Sequence, residues 1–413
     1  MPVAVLAGAM VAFSVTSAGA TPPPRTERVT VSATGEQLTG ASDGPRLSAD
    51  GRHAAFTSYA PDAVPGDTNG QPDVFVRDLR RGTVERVSVA SDGTQADGRS
   101  DTARISGDGR YVAFLSAAGN LVPWERPPAY QRDVYVHDRD TGRTERISVP
   151  ADGGSGGVAD SLDMSRDGRY LAFTASVTRM EGEGTSHRTL AYLADRRTGD
   201  VRRISDRVPS DWYVQNLRLS ADGTHLAYIQ RHPRGGRGEL WLADLRTGEQ
   251  RQLNLTPEGD PTNGAPAGLS LSADGGRVAY GSFDDRVVAG APAYTWELYL
   301  YDARTGSTRW VTHEGAGGLG AGTLSADGRR LAYRQEVTLP SEETVDNVYV
   351  RDLRTGRTTL VTESVDGGPL TEGWSAPSDF ARDGRLLGLF STSARLVPGD
   401  TNGEGDGFVR RLR

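Results

Sequence analysis

The sequence predicts an all-β fold, a seven-bladed β-propeller of four-stranded blades, and three observations carry that prediction. First, an apolar residue followed by Ser-x-Asp-Gly, or a close variant, and a short hydrophobic run recurs seven times, with aspartates at Asp50, Asp108, Asp167, Asp222, Asp274, Asp327 and Asp383. The copies lie 52 to 59 residues apart, and a fixed period of this size marks one repeat architecture rather than several unrelated domains. Second, each repeat reads as four strands. Third, the last repeat stops one strand short, and a strand of the missing kind stands at the other end of the chain.

The second and third strands, such as Tyr111–Leu115 and Val134–Val136, are apolar without alternation, as a strand is when both faces of its sheet are covered. The fourth, such as Thr144–Val149, alternates polar with apolar, as expected of an outer, half-exposed strand. Two tight turns join them, Ser-x-Asp-Gly and the Thr-Gly turns of Arg139–Gly142 and Arg354–Gly356. In both, Gly supplies positive φ and Asp or Ser bonds nearby amides. The acids at the second turn, Asp78, Asp138, Asp195, Asp244, Asp302 and Asp352, are read as turn structure.

Repeats start near residues 47, 105, 164, 219, 271, 324 and 380, and one domain covers 27–413. The strand expected to close the ring is Glu27–Ser32, which repeats the pattern of Glu85–Ala90. Closure of this kind removes exposed sheet edges. Residues 1–20 form an uncharged apolar run ending in Ala18-Gly19-Ala20, a signal-peptide pattern with a small-residue cleavage site. A Pro-rich spacer, 21–26, follows. The expected location is therefore secreted, periplasmic or cell-envelope, and no other apolar stretch is long enough to span a bilayer.

The Ser-x-Asp-Gly turn, the following Ala-Phe or Ala-Tyr and the Asp-Val-Tyr-Val-x-Asp strand resemble the TolB-type, WD40-like (PD40) propeller repeat. The resemblance implies a secreted or periplasmic binding scaffold that engages proteins or cell-envelope components. Two features depart from that family: seven blades with no preceding α/β domain, and Ala49, Gly107 or Arg166 where the family usually carries Pro.

Every one of the 47 basic residues is Arg, net charge is −7, and no basic run stands out. Binding to nucleic acid, which requires neutralised phosphates, is not expected. With no cysteine, disulfides and thiol catalysis are both excluded.

Strand order puts the long, variable loops, those between second and third strands and those between blades, on one face, where ligand contacts are expected. Trp124, Trp212, Trp296 and Trp374 lie in them, with Tyr130, Tyr213 and Tyr294 beside three. They act either as anchors for a protein, peptide or glycan or as plugs between loops. The loop Asp67-Thr68-Asn69-Gly70-Gln71-Pro72-Asp73 recurs as Asp400-Thr401-Asn402-Gly403-Glu404-Gly405-Asp406. Alternating oxygen side chains open a calcium loop, and are equally a turn sequence; neither copy ends in the required Glu. The candidate calcium ligands are Asp67, Asn69, Asp73, Asp400, Asn402, Glu404 and Asp406, and no other cofactor is expected. No nucleophile elbow, His-x-x-x-His pair or phosphate loop occurs. His53, His137 and His225 fall in repeat strands and are read as structural. His187, His232 and His313 fall in variable loops, and only their convergence over the axis would supply an acid and base or a metal site. The expected function is a binding module; the alternative is a propeller lyase or hydrolase acting on a polysaccharide or lactone at the axial mouth.

Overall fold

The computed structural model describes residues 26–123, 132–147, 158–181, 184–313 and 318–413. Seven antiparallel four-stranded sheets follow one another around an axis. The innermost strands of blades 1 to 7 are Arg46–Leu47, Ser100–Ile105, Val158–Met164, Tyr213–Leu219, Ala267–Leu271, Leu319–Leu324 and Ser375–Phe380. Each is followed outward by its second, third and fourth strands, as in blade 1 with His53–Ser58, Asp73–Asp78 and Val84–Arg86.

Blade 7 takes its fourth strand from the other end of the chain. Thr26–Arg28 pairs antiparallel with Asp406–Arg411, in the register Thr26↔Arg410 and Arg28↔Phe408. The regular ladder is earlier and shorter than the expected Glu27–Ser32. The reason is a side chain: Val29 N still donates to Gly407 O at 2.8 Å, but Thr30 Oγ1 then takes over, accepting from Gly407 N at 3.1 Å and donating to Asp406 Oδ1 at 2.8 Å. The backbone is thereby released to turn at Ser32, whose amide donates to Glu36 O. Blade 1 repeats the device with Ser88, which accepts from Val74 N and donates to Asp73 Oδ1.

Blades stack through apolar sheet faces. Within a blade, second and third strands bring rings together: Phe56 with Phe75, Phe114 with Tyr135, Phe173 with Tyr192, Tyr280 with Tyr299 and Tyr333 with Tyr349, at centroid separations of 5.6 to 6.0 Å. All but Tyr349 are almost fully buried, and such pairs add to the area term that dominates folding.

The Ser-x-Asp-Gly turns also join blade to blade. In blade 3, Ser165 Oγ donates to Asp167 Oδ1 at 2.6 Å, and the amides of Arg169 and Tyr170 donate to Asp167 and Ser165. Gly168, at φ +70°, lies against the ring of Tyr111 from blade 2, and a Cβ there would stand 2.6 Å from that ring. Gly109 meets His53 and Gly275 meets His225 in the same way, so these two histidines are packing elements between blades. The x residues then form a backbone collar round the axis. Gly107 N donates to Arg166 O (2.7 Å), Arg166 to Ala221 (2.8 Å), Ala221 to Ala273 (2.9 Å), Ala273 to Ala326 (2.9 Å) and Arg382 to Ala49 (3.0 Å).

The acids of the second turn also serve structure. Asp138 Oδ1 accepts from Asp140 N, and Arg110 holds both its oxygens at 2.8 and 2.7 Å. These bonds, foremost that of Arg110, keep the Asp138 carboxyl well below the usual carboxylate range. No helix among the described residues is long and apolar enough to cross a membrane.

Candidate functional site: the axial channel

The innermost strands enclose two cavities on the axis. One, about 650 Å³, opens on the variable-loop side and is lined by Gly44, Thr102, Gln215, Trp374 and Phe390 among others. The second, about 450 Å³, lies toward the collar, against Ala49, Gly107, Arg166, Ala221, Ala273 and Arg382. Arg46, Arg104, Asn216, Arg218, Pro377 and Ser378 line both, which places them at the waist between the two.

The waist has a definite origin in the repeat. The residue one place before the apolar residue that opens each turn points to the axis, and in blades 1 to 7 it is Arg46, Arg104, Asp163, Arg218, Ser270, Thr323 and Asp379. The acceptors in this ring stitch neighbouring blades. Asp379 takes Leu47 N at 3.0 Å as well as Phe380 N at 2.8 Å. Asp163 takes Leu219 N at 2.9 Å and Met164 N at 3.0 Å, while Ser270 takes Leu324 N at 2.9 Å. The cations bond mainly to carbonyl and amide oxygens, Arg104 to Ala103 O at 2.8 Å. Arg104 Nε lies 3.4 Å from Asp163, Arg218 donates to Asn216 Oδ1 at 3.1 Å and Leu217 O at 2.7 Å, and Arg46 donates to Ser378 O.

Electrostatics follow from burial. Arg104 is pushed down to about 9, first by burial and then by the charge of Arg46. Burial lowers Arg218 too. Asp379 is raised by burial against the pull of Arg46. On the loop side Asp43 is raised by burial and by the neighbouring charge of Asp101.

The aromatic residues singled out in the sequence separate into different environments. Trp374 is 41% exposed, lies 5.1 Å from Phe390 and receives the guanidinium of Arg334 over its ring at 5.7 Å; it borders the loop-side cavity. Tyr294 is 97% exposed. Trp296 instead fills the space over Gly281 and meets Phe283 edge-on at 4.5 Å, and Trp212 packs on the core of blades 3 and 4. Tyr213, half-buried, opens the inner strand of blade 4. Trp124 and Tyr130 lie outside the described residues, as do residues 1–20. Sequence reasoning passed over Phe283 and Tyr59, both more than half exposed, and Arg99 lies 5.9 Å over the Tyr59 ring.

The histidines are not brought together among the described residues. His187, expected in a loop, is in a strand, paired with Thr178 in the long hairpin of blade 3. His232 Nε2 lies 3.1 Å from Asp211 beside Trp212. His313 is buried 3.2 Å from Glu297, which also accepts from Trp310 Nε1. Neither His232 nor His313 borders the axial cavities.

In the duplicated loops the cation facing the carboxylates is a guanidinium. Arg86 lies 3.3 Å from Asp67 and 3.2 Å from Asp73, and Gln95 Nε2 donates to both. Arg28 and Gln37 hold Asp400 and Asp406 identically, the Arg28 distances being 3.0 and 3.1 Å. Asn69 and Asn402 turn their amides to Ala96 O and Leu38 O and accept the amides of Gln71 and Glu404. This donor set does not fit calcium, which would have to expel Arg and Gln from both loops. Among the described residues no group of three His, Cys, Asp or Glu side chains is placed to hold a metal.

No family model matches the chain, and no curated protein sequence does. Solved structures match its fold. An oligogalacturonate lyase in complex with manganese superposes at TM-score 0.60 and 15% identity, over 95% of this chain and 97% of that one. The oligogalacturonate lyase of Vibrio parahaemolyticus does so at 0.60 and 13%, over 94% and 97%. The β-propeller domain of the Trilobed protease from Pyrococcus furiosus, described as having an open velcro topology, matches at 0.55 and 13%, over 90% and 95%. At such identities the likeness extends to the fold alone. The chain is a seven-bladed β-propeller with its ring closed by an N-terminal strand.

Proposed function

We propose that this chain is an exported, TolB-like binding propeller that takes a protein, peptide or glycan of the cell envelope at its variable-loop mouth. One observation carries the reading: a cavity of about 650 Å³ at that mouth, within the size range of ligand pockets. Its border combines the half-exposed ring of Trp374 with the amides of Gln215 and Asn216 and the guanidiniums of the waist. An aromatic face beside convergent polar groups is how sugar and peptide ligands are oriented.

A second reading, a lyase or hydrolase acting on a polysaccharide or lactone at the same mouth, is favoured by the end-to-end match to the two oligogalacturonate lyases. One experiment separates the readings. A glycan and peptide array probed with the intact chain and with Trp374→Ala identifies ligands whose retention depends on the mouth, and each ligand is then recovered and its mass measured. Unchanged mass supports binding, and cleavage supports the enzyme. Binding that is indifferent to Trp374→Ala and to bulk placed in the cavity contradicts both.

A further inference from the structure

We infer that the waist of the axial channel is an anion site, in which Arg46, Arg104 and Arg218 grip a carboxylate, sulfate or phosphate group of the ligand. The inference rests on the reading that the ligand enters this channel, and names what the channel selects.

The first ground is charge placement. The chain as a whole is acidic, at −7, yet five arginines, Arg46, Arg104, Arg166, Arg218 and Arg382, border the axial cavities against three acids, Asp43, Asp163 and Asp379. Two of those acids spend their oxygens on the backbone amides that stitch blade 3 to 4 and blade 7 to 1. The axis therefore carries surplus positive charge inside a negative protein.

The second ground is geometry. Elsewhere the fold pairs arginine with carboxylate through two parallel bonds, as Arg110 does with Asp138 and Arg169 with Asp195. Among the described residues no waist arginine has such a partner; each meets a carbonyl, an amide oxygen or a single carboxylate oxygen at 3.4 Å. Donors of the guanidinium fork are left facing the channel, and that fork matches the oxygens of a carboxylate, sulfate or phosphate. The three come from blades 1, 2 and 4, so their guanidiniums approach the waist from one half of the ring.

The third ground is cost. Holding like charges together out of water is unfavourable: burial and then the charge of Arg46 lower Arg104, while burial lowers Arg218, on which Asp163 pulls and Arg46 pushes. An anion at the waist removes the repulsion and supplies the missing acceptors.

Thermal unfolding of the full chain at fixed ionic strength provides the test, with low-millimolar citrate, sulfate or phosphate compared against chloride. Intact protein and an exposed control, Arg354→Met, are expected to gain melting temperature with the oxyanions, and the ranking of the three tells carboxylate from sulfate from phosphate. Arg104→Met and Arg218→Met relieve repulsion, so each should melt no lower than the intact chain in chloride while needing at least about tenfold more anion for the same gain. If either fails to fold, Arg218→Lys, which keeps the charge and loses the fork, is expected to show the same tenfold loss. Equal anion response in all variants, or none in the intact chain, overturns the proposal. The array test with Trp374→Ala uses ligands and a residue outside this set, so loss of the anion response leaves the binding reading standing and the reverse result leaves the anion site standing.

Discussion

Arg28 Nε lies 3.1 Å from Asp406 Oδ2, an ion pair that joins the first described strand to the last, with Asp406 buried and Arg28 half-buried. The same guanidinium reaches Asp400 at 3.0 Å, and Thr30 donates to the other Asp406 oxygen. Ring closure is thus a polar latch as well as a strand pairing.

Breaking the latch leaves Asp406 charged and buried, and its carboxyl is already raised by burial. Arg28→Ala is expected to cost about 3–5 kcal/mol. Removing residues 1–20 should be harmless, whereas removing 1–33 strips blade 7 of its edge. Equal melting temperatures for the two truncations would contradict closure by this strand.

Because guanidiniums stand where a calcium ion would, millimolar calcium or a chelator is expected to leave the melting temperature unchanged. A calcium-dependent rise, lost in Asp73→Asn or Asp406→Asn, would show that the metal displaces Arg86 or Arg28.

The interblade glycines allow a paired comparison. Gly168→Ala and Gly142→Ala both place a side chain at positive φ, +70° and +71°, and the expected backbone cost is about 1–3 kcal/mol each. Only Gly168 faces a neighbour, Tyr111; Gly142 has open space. Denaturant unfolding should find Gly168→Ala the more damaging, and equal losses would remove the turn-to-ring lock from the account.

Much of this architecture is legible in the sequence because one turn carries it. Ser165, Asp167 and Gly168 each satisfy a local need, so the turn recurs wherever a first strand meets a second, and counting copies counts blades. The incomplete last repeat made closure readable for the same reason. The waist was not legible in the same way. Arg46, Arg104 and Arg218 occupy a repeat position that also holds Asp163, Ser270, Thr323 and Asp379, so no motif marks it; the signal is register, the place just before the apolar residue of each turn. The duplicated Asp-Thr-Asn-Gly loops were ambiguous because their partner cations, Arg86 and Arg28, come from a different strand, and spacing within a loop carries no trace of them.

Trp374 and Trp296 are expected to diverge. Trp296→Ala empties the space over Gly281 and should lower stability by about 1–3 kcal/mol, with ligand binding retained. Trp374→Ala should leave the melting point nearly unchanged and weaken binding by about 2 kcal/mol, roughly thirtyfold. The opposite pattern would exchange their roles.

The most direct measurement is ligand affinity after the loop-side cavity is filled. Gln215 is exposed, sits at a bulge in the inner strand of blade 4 and borders that cavity, so Gln215→Trp adds bulk without disturbing the core. With a ligand chosen on the intact chain, titration calorimetry should find binding abolished by Gln215→Trp and retained by Tyr294→Ala, which removes a ring from the same chain without touching the channel. Binding that survives Gln215→Trp and fails with Tyr294→Ala would move the site off the axis and onto the outer loops.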